Sequence, residues 1–206
     1  MDDLYERQKR YYHLRAREYD ATAWATTDAR AADEVARLVA AIAALPPART
    51  LEVACGTGFL SRHLRGELTL LDASDAMLAI AGARLPKAEL VQAEALPLPF
   101  ADGAFERVFS GQFYDHLRPP DRRRFLAEAR RVGAELVLAE QTRGPEHREG
   151  PEERVLEDGS RHEIYTAYFS PASLVAELGG GEVLHAGASY LLVRRSWEQP
   201  APYSSA

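Results

Sequence analysis

The part of this chain best suited to hold a ligand is a turn of small residues, Leu51-Glu52-Val53-Ala54-Cys55-Gly56-Thr57-Gly58-Phe59-Leu60. Glycines at such a turn let a ligand approach the backbone, and a helix starting beyond it presents free N–H groups. A dinucleotide frame, G-x-G-x-x-G, is not met: its three positions fall on Ala54, Gly56 and Phe59, so an aromatic replaces the last glycine. The phosphate-loop pattern is not met either, since no Gly-Lys-Ser/Thr follows. Glu52 at the strand end would repel a pyrophosphate, and it favours a ligand with a cationic head. Asp72 ends the next apolar run, 20 positions later, where Rossmann-type folds bind ribose hydroxyls. The third chemical group is Gly111-Gln112-Phe113-Tyr114-Asp115-His116-Leu117. A histidine is the side chain suited to take a phenol or enol proton near neutrality, so His116 is read as general base or as pocket wall. Tyr114 and Gln112 are candidates to orient an acceptor. Cys55 is read as a small filler, not as a nucleophile.

These residues need a scaffold, and the apolar pattern supplies one. Strand-like runs at Thr50–Ala54, Leu68–Asp72, Glu89–Gln92, Arg107–Ser110 and Glu135–Glu140 alternate with helix-length segments at Phe59–Arg65, Asp75–Leu85 and Asp121–Val132. That alternation predicts a parallel sheet covered on both faces. In such a sheet ligands sit beyond the carboxyl ends of the strands, where the glycine turn, Asp72 and His116 all fall. Ahead of it, helices are predicted from Leu4 to Tyr19 and from Asp28, an N-cap, to Leu45. The stretch from Ala93 to Phe105 reads as a loop. Arg154–Glu157 and His162–Phe169 flank Asp158-Gly159 as a hairpin, and Ser170-Pro171 opens a short helix. Glu182–His185 and Ser189–Arg195 are joined too tightly for a parallel return, so the sheet should end in an antiparallel hairpin.

Glu52-x-Ala54-Cys55-Gly56-Thr57-Gly58 closely resembles the first motif of class I S-adenosylmethionine-dependent methyltransferases. The amino group and sulfonium of S-adenosylmethionine are a cationic head of the kind Glu52 favours. Asp72-Ala73-Ser74-Asp75-Ala76-Met77-Leu78, Gln92-Ala93-Glu94-Ala95-Leu96-Pro97 and Phe105-Glu106-Arg107-Val108-Phe109-Ser110 resemble the family's later motifs, in the same order. The resemblance runs from about Tyr11 to Trp197. It implies a Rossmann-like α/β methyltransferase fold: a mostly parallel seven-stranded sheet with a C-terminal antiparallel hairpin and helices on both faces. It implies that Glu52, Ala54, Cys55, Gly56 and Gly58 surround the methionine end of the cofactor, with backbone near Ser110 beside it. Asp72 would hold the ribose, Ala73 and Met77 would pack on the adenine, and Glu94 and Ala95 would bind its edge. Glu94 stands where the family usually has aspartate, and Val132-Gly133-Ala134 replaces its usual Pro-Gly-Gly turn. The segment Tyr11–Asp20 resembles the lid of small-molecule members, with Tyr12 and Tyr19 as the residues closing over the methionine moiety; a packed amphipathic helix is the alternative.

The expected layout is one domain over 1–197, with a lid at 1–45, a hairpin insert at 153–169 and a flexible tail at 198–206. Net charge is −6 and charged residues make up 27%, which argues against a nucleic-acid binder. The run Arg122-Arg123-Arg124 with Arg130-Arg131 reads as a solvated helix face. One cysteine, an acidic start and the lack of a long apolar run fit a cytoplasmic protein without membrane partners, monomeric or homodimeric. No metal site is expected. The expected reaction is methyl transfer to the O, N or C atom of a small molecule. Two alternatives stay open: a cofactor-binding protein of the same fold without transfer, and a macromolecular acceptor. A nicotinamide-dependent oxidoreductase is opposed by Glu52, Phe59 and the terminal hairpin.

Overall fold

A computed structural model describes residues 3–24, 27–144 and 146–197. The predicted tail at 198–206 lies outside them. Seven strands form one sheet: β1 (Thr50–Val53), β2 (Leu68–Asp72), β3 (Glu89–Gln92), β4 (Phe105–Gly111), β5 (Gly133–Gln141), β8 (Glu182–Ala186) and β9 (Tyr190–Ser196). Their order is β3-β2-β1-β4-β5-β9-β8. The first five are parallel, and β9 runs antiparallel to both β5 and β8. The terminal hairpin therefore closes the sheet as its short link required. A second hairpin, β6 (Gly150–Val155) with β7 (Arg161–Thr166), stands apart as a two-stranded sheet.

Alternate residues of the central strands feed two different cores. Leu136 and Leu138 of β5 and Leu191 and Val193 of β9 pack with Phe125, Ala129 and Leu174, from helices α5 (Pro119–Val132) and α6 (Pro171–Glu177). Val137, Ala139 and Leu192 face the other way, onto Leu38 and Ile42 of α3 (Ala29–Ala43). Burial on both faces is why these strands read as nearly continuous apolar runs. Asp28 caps α3 through Arg30 and Ala31 N–H, as predicted. Helix α4 (Asp75–Arg84) is capped by Ser74, which accepts from Met77 N.

Several boundaries differ from expectation. The predicted Phe59–Arg65 helix is one 3₁₀ turn, Ser61–His63, because Leu64 is already extended towards β2. The first predicted helix divides into α1 (Asp3–Arg15) and α2 (Tyr19–Ala23), parted by a turn in which Ala16 is buried. The insert hairpin turns at Asp158-Gly159 as predicted, but its strands lie earlier in the chain. Beyond Thr166 the backbone joins the main body, Ala167 N donating to Asp115 O and Arg143 N to Phe169 O. The basic helix face is not wholly solvated. Arg122 is buried, its Nη1 donating to Leu117 O at 3.1 Å while its guanidinium ion-pairs Glu149 and Glu177 at 3.1 and 2.7 Å. No helix among the described residues is long and apolar enough to cross a membrane.

Candidate active site

Strand order reverses between β2-β1 and β4, and a cavity of about 660 Å³ opens at the carboxyl ends of those strands. The glycine turn forms its floor. Gly56 has φ +54°, and a Cβ built there meets nothing within 4 Å, so the backbone borders open space. Ala54 also has positive φ, +55°, a strained conformation for a residue with a side chain. Asp72 holds the turn, accepting Gly56 N–H through one oxygen and Ser74 N–H through the other, both at 2.8 Å. Asp72 also lines the cavity, and each of its oxygens can accept more than that one bond.

Glu52 is 2% exposed, lines the same cavity, and its Oε2 has no hydrogen-bond partner. Burial pushes its carboxyl up to about 8, against the Ser61 hydroxyl beside it, which favours the charged form. A buried acceptor left open in a cavity wall suits a cationic donor. Burial also raises the Cys55 thiol well above its ordinary value, consistent with filler and not with a nucleophile. Ala73, Met77, Glu94 and Ala95 line the cavity as expected. Lys9 Nζ sits 2.7 Å from Glu94 Oε1, so one oxygen of that carboxylate is already paired.

Three expected residues are not brought to the cavity wall. Gly58 faces the protein, where a Cβ would meet Leu85 and Ala81 at 3.3–3.4 Å; it packs the turn on α4. Ser110 is fully buried and donates to Val53 O at 3.1 Å, tying β4 to β1. Tyr114 is the clearest correction. Its ring packs near Phe125 and Phe169, and its hydroxyl donates to Glu177 at 2.9 Å, away from the cavity.

His116 does line the cavity. Its Nδ1 is 2.7 Å from Tyr165 O, and a carbonyl only accepts, so Nδ1 carries the hydrogen. In the neutral ring Nε2 is then the acceptor, and the Tyr12 hydroxyl donates a hydrogen bond to it at 2.5 Å. Behind it Asp115 Oδ1 lies 3.6 Å from Nε2. Burial raises both Asp115 and Glu140, whose carboxyls lie close together with no exposed surface.

Helix α1 lies over the opening and is fastened on several sides. Tyr5 Oη donates to Asp121 at 2.7 Å, Gln8 bonds both His116 O (3.3 Å) and Tyr165 N (2.8 Å), and Lys9 reaches Glu94. Asp20 of α2 accepts from Thr57 Oγ1 at 2.5 Å and ion-pairs Arg84, which also donates to Thr57 O. Helix α2 is thereby bolted to the glycine turn. Tyr12 and Tyr19 line the cavity beneath it. Sequence reasoning missed Trp24, stacked on Phe59 at 4.8 Å, and it gave no sign that Gln112 would have φ +57°. Aromatics on both sides of a glycine turn were the available signal for the first; the second depends on how β4 ends.

Among the described residues no group of three or more His, Cys, Asp and Glu is placed to hold a metal ion. The strand order and the cavity at the carboxyl ends of the strands resemble those of class I S-adenosylmethionine-dependent methyltransferases. Residues 51–135 match the model of a methyltransferase domain family. The chain resembles the demethylmenaquinone methyltransferase of Thermotoga maritima, 38% identical over 101 residues, which is 47% of this chain and 43% of that protein. It also resembles the enzyme of that description from Renibacterium salmoninarum, 35% identical over 109 residues, 50% and 45% of the two chains. These alignments span less than half the length of the curated relatives. Over nearly its whole length the chain is similar to the solved DhpI-SAM-HEP complex: 28% identity, TM-score 0.77, covering 95% of this chain and 99% of that one. The 1,6-didemethyltoxoflavin-N1-methyltransferase of Burkholderia thailandensis, at 14% identity and TM-score 0.58, shares the fold.

Proposed function

We propose that this protein transfers a methyl group from S-adenosylmethionine to a small-molecule nucleophile. The observation that carries the reading is the glycine turn with its open backbone at Gly56 and the unpartnered buried oxygen of Glu52. The residues present fit the cofactor. Glu52 would accept from its amino group, Asp72 would hold ribose hydroxyls, Ala73 and Met77 would flank the adenine, and Ala95 and the free oxygen of Glu94 would meet its edge. Backbone at Ala54, Cys55 and Gly56 would lie along the methionine moiety. When bound, the cofactor supplies an electrophilic methyl carbon.

The remaining work falls to the chain. Tyr12, Tyr19 and Trp24 close the cavity from above and exclude water, which strengthens each polar contact inside and holds the acceptor in line. An acceptor hydroxyl can give its proton to Tyr12 Oη as Tyr12 passes its own to His116 Nε2, because that hydrogen bond already points from phenol to imidazole. Burial holds the Tyr12 phenol well above its ordinary value, so it serves as a relay and not as a standing anion. Support for a small acceptor comes from the full-length likeness to the DhpI-SAM-HEP complex and from the named substrates of the curated relatives. Cytoplasmic residence and a monomeric or dimeric state belong to the same reading.

His116→Ala tests the proton path. Turnover should fall about 10²–10⁴-fold with cofactor affinity within a factor of about two, as for loss of a general base. An equal loss of cofactor affinity would make His116 a wall of the cavity instead.

A further inference from the structure

A second cavity, of about 260 Å³, lies against the first. Tyr12, Tyr19, Trp24, Gln112 and His116 line both, so these five side chains form a shared wall. The two chambers differ in charge. The larger has five carboxylates in its lining, Glu6, Glu52, Asp72, Glu94 and Asp121, against Lys9, Arg10 and Arg124. The smaller has Arg15, Arg154, Gln112, Gln141 and His116 in its lining, and no Asp or Glu lines it. In a chain of net charge −6, a lining with two arginines and no carboxylate is an uneven distribution.

The arginines are placed by separate elements. Arg15 ends α1; its guanidinium donates to Thr22 Oγ1 at 2.8 Å and lies 4.8 Å from the Tyr19 ring centroid. No carboxylate among the described residues is ion-paired with it. Arg154 comes from β6 and lines the chamber; its Nη2 is paired with Glu152 at 2.5 Å, a partner outside the lining, and its Nη1 donates to Glu153 O at 3.4 Å. Gln141, at the end of β5, and Ser189 and Tyr190, at the start of β9, close the far side.

We propose that this chamber seats the methyl acceptor, and that the acceptor carries an anionic oxyacid group, a carboxylate or a phosphorus oxyanion, held by Arg15 and Arg154. Guanidinium forks match such groups, and the small volume suits a short acceptor whose nucleophile reaches the shared wall at Tyr12 and His116. The assignment rests on the cofactor occupying the larger cavity, as proposed above.

The test is a titration, with and without saturating S-adenosylhomocysteine, of the full chain with inorganic phosphate, methylphosphonate and benzoate. Phenol serves as the neutral comparison. Arg15→Gln and Arg154→Gln are measured alongside, with circular dichroism to show that each is folded. The expected result is saturable one-to-one binding of an anion, weakened about tenfold or more in each variant, with affinity for S-adenosylhomocysteine unchanged. The tighter of the phosphorus and carboxylate probes then names the group. Absence of anion binding, anion binding as tight in both variants as in the unsubstituted protein, or phenol binding more tightly than every anion, while S-adenosylhomocysteine binds normally, overturns the acceptor class and leaves the cofactor reading intact. Failure of S-adenosylhomocysteine to bind overturns the cofactor reading, and the acceptor assignment with it.

Discussion

Glu52 holds its proton to about pH 8 in the folded chain, against an ordinary value of 4.5. Raised in the fold, this group contributes stability that is fully present below the ordinary value and is lost as pH rises towards 8. A cationic ligand head reverses the preference and ionises the carboxyl. Between about pH 5 and 7, below the usual α-amino range, cofactor binding should release a proton from Glu52 and tighten with pH. Titrations in buffers of differing ionisation enthalpy read that proton directly. Glu52→Gln should abolish the release, weaken S-adenosylhomocysteine roughly 10–100-fold and flatten the pH dependence of the unliganded melting temperature. Gly56→Val, whose side chain would project into the cavity, should abolish binding, while near-native circular dichroism separates this loss from strain at φ +54°. Glu52 and Asp72 were legible in the sequence because both fall at the carboxyl ends of strands, where ligands of such a sheet sit. Tyr114 was not. It and His116 sit in one 3₁₀ turn, where successive side chains are about 120° apart, so only His116 meets the cavity.

At the scale of elements, α1 is fastened over the site through long side chains. Gln8 is the bond between three of them: its amide joins α1 to the backbone of His116 and of Tyr165 on β7. Gln8→Ala leaves a buried N–H and a carbonyl without that partner and should cost about 1–3 kcal/mol of stability. The same change should speed release of S-adenosylhomocysteine severalfold in stopped-flow measurements, with a smaller change in association. Equal release rates would show that α1 is a fixed wall and not a lid. The lid was visible in the sequence only as tyrosines at helical spacing. Its division at Ala16 was not, because α2 is held by contacts from distant positions: Asp20 with Thr57 and Arg84. Arg122 shows the same limit. Its charge read as solvated, yet partners 27 and 55 positions away, Glu149 and Glu177, let it be buried.

Across the whole molecule, strand–helix alternation was enough to predict the parallel sheet, and the tight link between His185 and Ser189 enough to predict its antiparallel end. Position in such a sheet then dictated where a ligand could sit. The second chamber was not legible. Arg15, Gln112, Gln141, Arg154 and Tyr190 come from five segments that only the closed fold brings together. Everything proposed for the chain depends on what fills the larger cavity. Isothermal titration of the purified protein with S-adenosylmethionine and S-adenosylhomocysteine, with NADH as comparison, tests that most directly. The account predicts stoichiometric binding of both sulfur ligands and none of NADH. Binding of NADH alone, or of none of the three, would contradict it and leave the glycine turn without the role assigned to it.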